Sequence, residues 1–451
     1  DNFVEAVLKI LRRAGPEYLR LSLAAILVGV SLTLYIYLSV VPGFIGLMPC
    51  LILTIFLLYR SAMHNLFDRP SLGFWRMSIL GLICALITLC DHLQFFYLQK
   101  GAAPPAANHP AVEVLVDTAT LNDLGIAPHL AGVFFAPGEG NRDIYLWAGQ
   151  KRRSYLSKIP ALVARRVDRP GGAWRTGMGK PLSDARWIPE VGQILTAIAE
   201  PPMVELRSPA DLQVVGGATW PSGYPSLIDV AGDGTVRVLA EGEGEIARVD
   251  PRDLSLTMED PLAPQARALG AKLPTDGLAP AMLTPPIGGR RYLSSWYAHM
   301  IALELDENFR VTRIFQQPEN VAVRLSTMSV FRFFDFAWNP GGQEIWLANS
   351  MRGRGGELIE LDRQSFSHVR TRAAPLGLRR LLYDERRDRL YALDALGGSL
   401  LVLRRKSGAL EEVTRLEFGK LARVLQWEDS SRTRLLVGSS GGLFRVDPQK
   451  L

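Results

Sequence analysis

The stretch LLYDE (381–385), followed after a polar turn by RLYAL (389–393), a Gly pair and SLLVL (399–403), decides how this chain folds. It has a copy on either side. Upstream, FAWNP (336–340) leads into EIWLA (344–348) and ELIEL (357–361). Downstream, LQWED (425–429) leads into RLLVG (434–438) and GLFRV (442–446). The copies recur at a spacing of about 45 residues. Each has a hydrophobic strand, a polar turn, a second strand with a large residue near its centre, and a third strand after the glycines. Short apolar runs punctuated by Gly, Pro, Asn and Asp argue for strands. Three or four strands in a repeat of this length is the pattern of a propeller blade. Such a sheet has two apolar faces that only neighbouring blades cover, so the ring must close.

Fainter echoes lie upstream at 133–146, 185–198, 226–238 and 291–305. Counting them predicts an all-β propeller of about seven blades over residues 111–451, with six or eight as the alternatives. The last copy stops at VDP (446–448), short of a full blade, and VEVLV (112–116) can supply the missing strand and latch the ring.

The blades resemble the YVTN/NHL/quinoprotein-like class of bacterial β-propellers over roughly residues 111–451, in architecture and strand–turn pattern. Regular WD dipeptides, a kelch pattern and the repeated Trp motif that packs a quinone are missing from the sequence. The resemblance therefore implies a fold, and no residue role is carried over.

The first hundred residues have another character. Residues 21–41 (LSLAAILVGVSLTLYIYLSVV) carry no charge, and apolar runs continue at 44–59 and 77–98. Each of the outer two is long enough to cross about 30 Å of hydrocarbon as a helix. A signal peptide would have one shorter run and a cleavage site. The reading is a transmembrane domain at 17–100 with helices at about 20–41, 43–59 and 76–98. An amphipathic helix at 1–16 precedes it, and a Pro/Ala linker at 101–110 follows. Lys9, Arg12, Arg13 and Arg20 lie on the same side as Arg60, Arg69 and Arg76, which places the N-terminus in the cytoplasm. The propeller is then extracytoplasmic, periplasmic in a Gram-negative cell, with the chain a multi-pass protein of the cytoplasmic membrane.

Chemistry is sparse. The net charge of +6 comes from interspersed Lys, Arg, Asp and Glu, which gives no nucleic-acid footprint. The three cysteines, Cys50, Cys84 and Cys90, all lie in the apolar runs, so the propeller has no disulfide and no thiolate metal site. Asp91 and His92 near the outer end of the third run are the costliest ionisable residues there, and His92 is the one cofactor-ligand candidate. His129, His299 and His368 sit at dissimilar places in their blades, and His109 in the linker; lone histidines near strands are more often structural than metal ligands. DVAGDG (229–234) lacks the oxygen ligands of a calcium loop and reads as a hairpin turn, and EGEGE (241–245) as a solvated turn. Lys151-Arg152-Arg153 and the group Arg379, Arg380, Arg386, Arg387 and Arg389 could meet lipid headgroups or an acidic partner; solvated strand edges and turns are the plainer reading. No nucleophile elbow, P-loop or catalytic carboxylate pair is present.

The sequence thus favours a non-catalytic accessory or scaffold subunit of a larger bacterial membrane complex, without cofactor or metal. Its partners would be other integral membrane subunits and lipid. The alternative is a membrane-tethered propeller enzyme, lactonase-like or quinoprotein-like, or a ligand-binding module.

Overall fold

The computed structural model describes residues 103–451 apart from 127–129, 138–141, 149–154, 160–173, 178, 274–276, 285–288, 296–300, 317–332, 339–343, 352–354, 376, 396 and 407–408. The chain divides into two compact units, 1–99 and 100–451, and the propeller is the second. The expected amphipathic and transmembrane helices, and with them Asp91 and His92, lie outside the described residues. Among the described residues no helix is long and apolar enough to cross a membrane.

Seven four-stranded antiparallel sheets follow one another. Blade 1 comprises β2 (Leu130–Ala136), β3 (Asp143–Ala148), β4 (Tyr155–Ile159) and β5 (Trp174–Gly177). Blade 2 comprises β6 (Leu182–Ile188), β7 (Gln193–Ile198), β8 (Met203–Arg207) and β9 (Val214–Thr219). Blade 3 has β10 (Tyr224–Val230), β11 (Val236–Glu241), β12 (Ile246–Val249) and β13 (Leu256–Glu259). Blade 4 has β14 (Pro280–Leu283), β15 (Arg291–Ser295), β16 (Ile301–Leu305) and β17 (Val311–Gln316). Blade 5 runs through β18 (Phe333–Trp338), β19 (Glu344–Met351), β20 (Gly355–Asp362) and β21 (His368–Ala374). Blade 6 runs through β22 (Leu378–Asp384), β23 (Arg389–Asp394), β24 (Ser399–Lys406) and β25 (Ala409–Glu417). Blade 7 takes β26 (Val424–Trp427), β27 (Leu435–Ser439) and β28 (Gly442–Val446) from the end of the chain and β1 (Val112–Asp117) from the start of the unit.

The latch forms as expected: Val112 pairs with Val446, Val114 with Phe444 and Asp117 with Gly442. Asp447 N–H donates to Ala111 O at 2.7 Å, and Thr118 Oγ1 to Gly441 O at 2.7 Å. Arg445 on β28 reaches Glu428 at 2.6 Å and Glu113 at 2.7 Å, and these carboxylates hold its guanidinium above the ordinary range. Asp117 then caps the short helix α1 (Thr118–Asp123) by accepting from Thr120 N–H at 2.7 Å, and the chain passes into blade 1.

Seven hydrophobic clusters lie between the blades, one at each junction. This is why the second strands read as continuous apolar runs: both faces are covered. Tyr145, Tyr292, Trp346 and Tyr391 are the large central residues of β3, β15, β19 and β23, and all are fully buried. Burying one such ring contributes about 2–3 kcal/mol. Within the Pro/Ala stretch, Pro105–Asn108 forms a 3-10 turn, and Ala106 is buried with Phe418 and Phe444.

Two features differ from the expectations above. The echo at 291–305 is the second and third strand of blade 4; its first strand is the short β14. The long connection before β14 carries helix α2 (Leu262–Ala268) and folds back over EGEGE, so that turn is not solvated. Gly242 and Leu278 exchange backbone hydrogen bonds of 2.9 and 2.6 Å, Gly244 O accepts from Leu262 N–H, and Leu262 and Leu278 are fully buried. A Cβ on Gly277 would stand 1.8 Å from Gly242 O, so only glycine allows this approach. The DVAGDG segment forms the β10–β11 hairpin as expected, with Thr235 N–H donating to Asp233 at 2.9 Å.

The turn from third to fourth strand recurs as SPADL (208–212), DPRDL (250–254), DENF (306–309) and DRQSF (362–366). In each, the final residue takes a left-handed backbone: Leu212 at φ 63°, Leu254 at 59°, Phe309 at 60° and Phe366 at 54°. That conformation costs about 1 kcal/mol for a residue with a Cβ. Burial of the side chain offsets it, since Leu212, Phe309 and Phe366 are buried between blades.

Candidate functional site

The first strands of the blades, β2, β6, β10, β14, β18, β22 and β26, contact one another in a closed cycle and therefore wall the central channel. Six of the seven carry a β-bulge near their start, at Ala131, Ser183, Ser226, Ala281, Phe334 and Arg379. Five of these residues are Ala, Ser or Phe. The sixth is an arginine. Bulges re-aim side chains and gather near functional sites. The residues immediately after them include Asp184 on β6, Met282 on β14, Asp335 on β18 and Arg380 on β22.

Arg380 spans part of the channel. Its Nε donates to Arg423 O at 2.9 Å, at the entry to β26, and its Nη1 lies against Met282 Sδ of blade 4. Arg379, Arg380 and Arg423 form one electrostatic group. Burial, then the charges of Arg423 and Arg380, push the Arg379 guanidinium well below its ordinary range. Burial and Arg380 push that of Arg423 down to about 10. Arg423 Nε is buried without a hydrogen-bond partner among the described residues. On the wall of blade 2, Asp184 is buried and accepts from Ala185 N–H at 2.9 Å and Ile228 N–H at 3.0 Å, with Arg186 at 3.4 Å. Burial raises its carboxyl above the ordinary range, against the pull of Arg186, the two N–H groups and Arg380.

The five arginines that stand together between 379 and 389 in the sequence therefore divide in space. Arg387 pairs with Asp384 at 2.6 Å within the β22–β23 hairpin, while Arg386 and Arg389 reach out of blade 6: Arg386 donates to Ser431 O at 3.0 Å, and Arg389 to Pro448 O and Leu451 O at 3.2 and 2.9 Å. Arg379 and Arg380 belong to the channel, which corrects their reading as solvated. His368 lies exposed on β21 beside Thr371, and His109 Nδ1 accepts from Ala111 N–H at 3.2 Å. The structure brings neither to a common centre. His129, His299 and Lys151-Arg152-Arg153 lie outside the described residues. Among the described residues no group of three or more His, Cys, Asp or Glu side chains could hold a metal ion.

A second surface is distinctive. Fourth strands form the rims of the blades, and six contain charged residues, such as Arg175 on β5, Glu259 on β13, Arg313 on β17 and Arg370 on β21. Charges are a usual guard against edge-to-edge pairing. The rim of blade 2, β9, reads VVGGAT and has none. Val214 is 49% and Val215 57% exposed. Val215 stands at a bulge that recurs at Thr312, Val369 and Val413, but those bulges are flanked by charged residues and this one by Val214 and Gly216. The rim was legible in the sequence as the only uncharged fourth strand, once the blades were phased.

No family model matches the chain, and no curated protein matches its sequence. Solved structures match its fold. Kuenenia stuttgartiensis hydrazine synthase superposes with a TM-score of 0.51 at 11% identity, over 71% of this chain and 96% of that one. A catalytically inactive virginiamycin B lyase from Staphylococcus aureus, solved with quinupristin, gives 0.50 at 10% identity, over 74% and 98%. BamB from Moraxella catarrhalis gives 0.44 at 12% identity, over 70% and 84%. At these identities the likeness is one of fold.

Proposed function

We propose that the chain is a non-catalytic accessory subunit of a larger bacterial membrane complex and that its propeller is the interaction platform. The seven-blade architecture is compatible with a scaffold role. The observation that carries the reading is the rim of blade 2, where an uncharged strand has, among the described residues, one row of backbone N–H and C=O groups with no strand beside it. An extended, uncharged, β-branched segment of a partner protein adds to such an edge through main-chain hydrogen bonds, with Val214 and Val215 supplying apolar contact. The apolar runs at 21–41, 44–59 and 77–98 would anchor the chain in the cytoplasmic membrane beside other integral subunits and lipid, with the propeller outside the cytoplasm.

The test is a native gel of mildly solubilised membranes, comparing the wild type with a Val214→Lys/Val215→Lys variant, both positions being exposed. The reading expects a large stoichiometric complex that the paired lysines dissolve, while the thermal midpoint of the isolated chain moves by no more than about 1 °C. Wild-type migration without a constant companion, or a complex indifferent to the lysines, refutes it.

A further inference from the structure

We infer that the cavity between the rim of blade 3 and the β16–β17 turn of blade 4 is a binding site for a small monocarboxylate with a short apolar part. This goes beyond the platform reading and involves a different surface.

The cavity measures about 430 Å³, within the usual range for small-molecule sites. Strands β11 to β13 supply Arg237, Met258 and Glu259, the β16–β17 turn supplies Phe309 and Arg310, and α2 supplies Gln265. These parts are held in place. Asp306 accepts from the Asn308 and Arg310 N–H groups at 2.9 and 2.8 Å, which shapes the turn. Gln265 donates to Asp260 O and Pro261 O and accepts from Val311 N–H at 2.9 Å, which ties α2 to β17.

Arg237 gives the site its chemistry. Its side chain is only 9% exposed, and Nε alone meets both Glu259 oxygens, at 3.1 and 3.0 Å. The guanidinium lies 4.8 Å from the centroid of the buried Phe309 ring, which Arg291, paired with Asp229, also meets at 5.0 Å. These contacts fix the plane of the Arg237 fork. Its Nη1 and Nη2 have no hydrogen-bond partner among the described residues, and neither is closed off from the cavity. Arg310 is exposed on the same cavity, and its guanidinium has no partner among the described residues either. A guanidinium offers parallel N–H groups to the two oxygens of a carboxylate.

The surrounding charges set the valence of the ligand. Arg237, Arg248 and Arg310 line the cavity together with Glu259 and Asp260, and Glu259 also holds Arg248 at 3.3 Å. Three guanidiniums against two carboxylates leave one positive charge, which a monoanion matches. A dianion would meet repulsion from the exposed Asp260. Met258, 43% exposed, offers its thioether to an apolar group on the ligand.

The experiment is a titration of the full chain, followed by ligand-observed NMR, with phenylacetate, its neutral counterpart phenylacetamide and inorganic phosphate. It is run on the wild type, Arg237→Lys and Arg310→Gln. The wild type is expected to bind phenylacetate with a dissociation constant on the order of 1 mM, and phenylacetamide about tenfold more weakly. Arg237→Lys keeps a charge beside Glu259 but removes the paired N–H groups, and is expected to weaken phenylacetate binding about tenfold. Arg310→Gln alters an exposed side chain and is expected to weaken it about threefold with the thermal midpoint unmoved. Should Arg237→Lys fail to fold, Arg310→Gln decides alone. No saturable binding of phenylacetate by the wild type overturns the proposal. So does equal affinity for the amide, or an affinity indifferent to both variants. Tighter binding of inorganic phosphate than of phenylacetate overturns it in favour of a dianion site.

Discussion

The two ends of β22 hold the same residue type in opposite circumstances. At its far end, Asp384 accepts from Arg386 N–H at 3.1 Å and from Arg387 at 2.6 Å, and Arg389 on the next strand grips the last carbonyls of the chain. At its near end, Arg379 and Arg380 stand with Arg423, and each guanidinium adds to the electrostatic load on the others. The hairpin arginines are tied into blades 6 and 7 by a buried carboxylate and backbone oxygens. The channel arginines share a crowded wall. Identity of side chain thus decides little; what decides is which neighbours each guanidinium meets, a carboxylate at one end and other guanidiniums at the other.

The contrast breaks most severely at Asp384. Asp384→Ala leaves Arg387 without its carboxylate in a largely buried site and is expected to cost about 3 kcal/mol, read from urea unfolding. Arg389→Ala removes the bonds to Pro448 and Leu451 and is expected to cost about 1.5 kcal/mol by the same measurement. Arg380→Met deletes a channel charge together with one bond to Arg423 O, so opposing changes leave it within about 1 kcal/mol of the wild type. A loss as large as that of Asp384→Ala would erase the distinction between the two ends.

The smallest effect concerns the turn that receives Arg386. Hydrogen bonds from Ser431 hold the Asp429 carboxyl below its ordinary range, outweighing a slight burial. A carboxyl lowered in the folded state stabilises above its unfolded pKa, and that contribution is lost as pH falls through the folded value. Asp429→Asn should therefore flatten the acid limb of stability below about pH 4, matching the wild type at low pH and falling slightly below it at neutral pH, where the carboxylate contributes.

Much of the fold could be read from residues alone, because a blade repeats its burial pattern. Trp346, Tyr391 and Leu436 fall at one place in three successive copies, and 112–116 visibly completes the last of them. The phase failed at blade 4, where β14 is four residues long and begins with proline, too short for alternation to register. The left-handed turns were written in the sequence as SPADL, DPRDL and DRQSF, but the signal lies in a polar loop, where hydrophobic periodicity carries no weight. The channel was hidden for another reason. Arg379 and Arg386 are separated by a single strand, and only a bulge at one end and a hairpin at the other send them to different environments.

The closing strand has a consequence for how the molecule is made. Glu113 and Arg445 are 332 positions apart, so the ribosome finishes six blades before the partner of β1 exists. Until then β1 has no sheet to join, and the faces of blades 1 and 6 that β26–β28 will cover stay open to chaperones and proteases. A translation product ending before residue 442 cannot seal them at all. The latch thereby works as a proofreading device: only a chain read through β28 covers the facing apolar surfaces of blades 1 and 6.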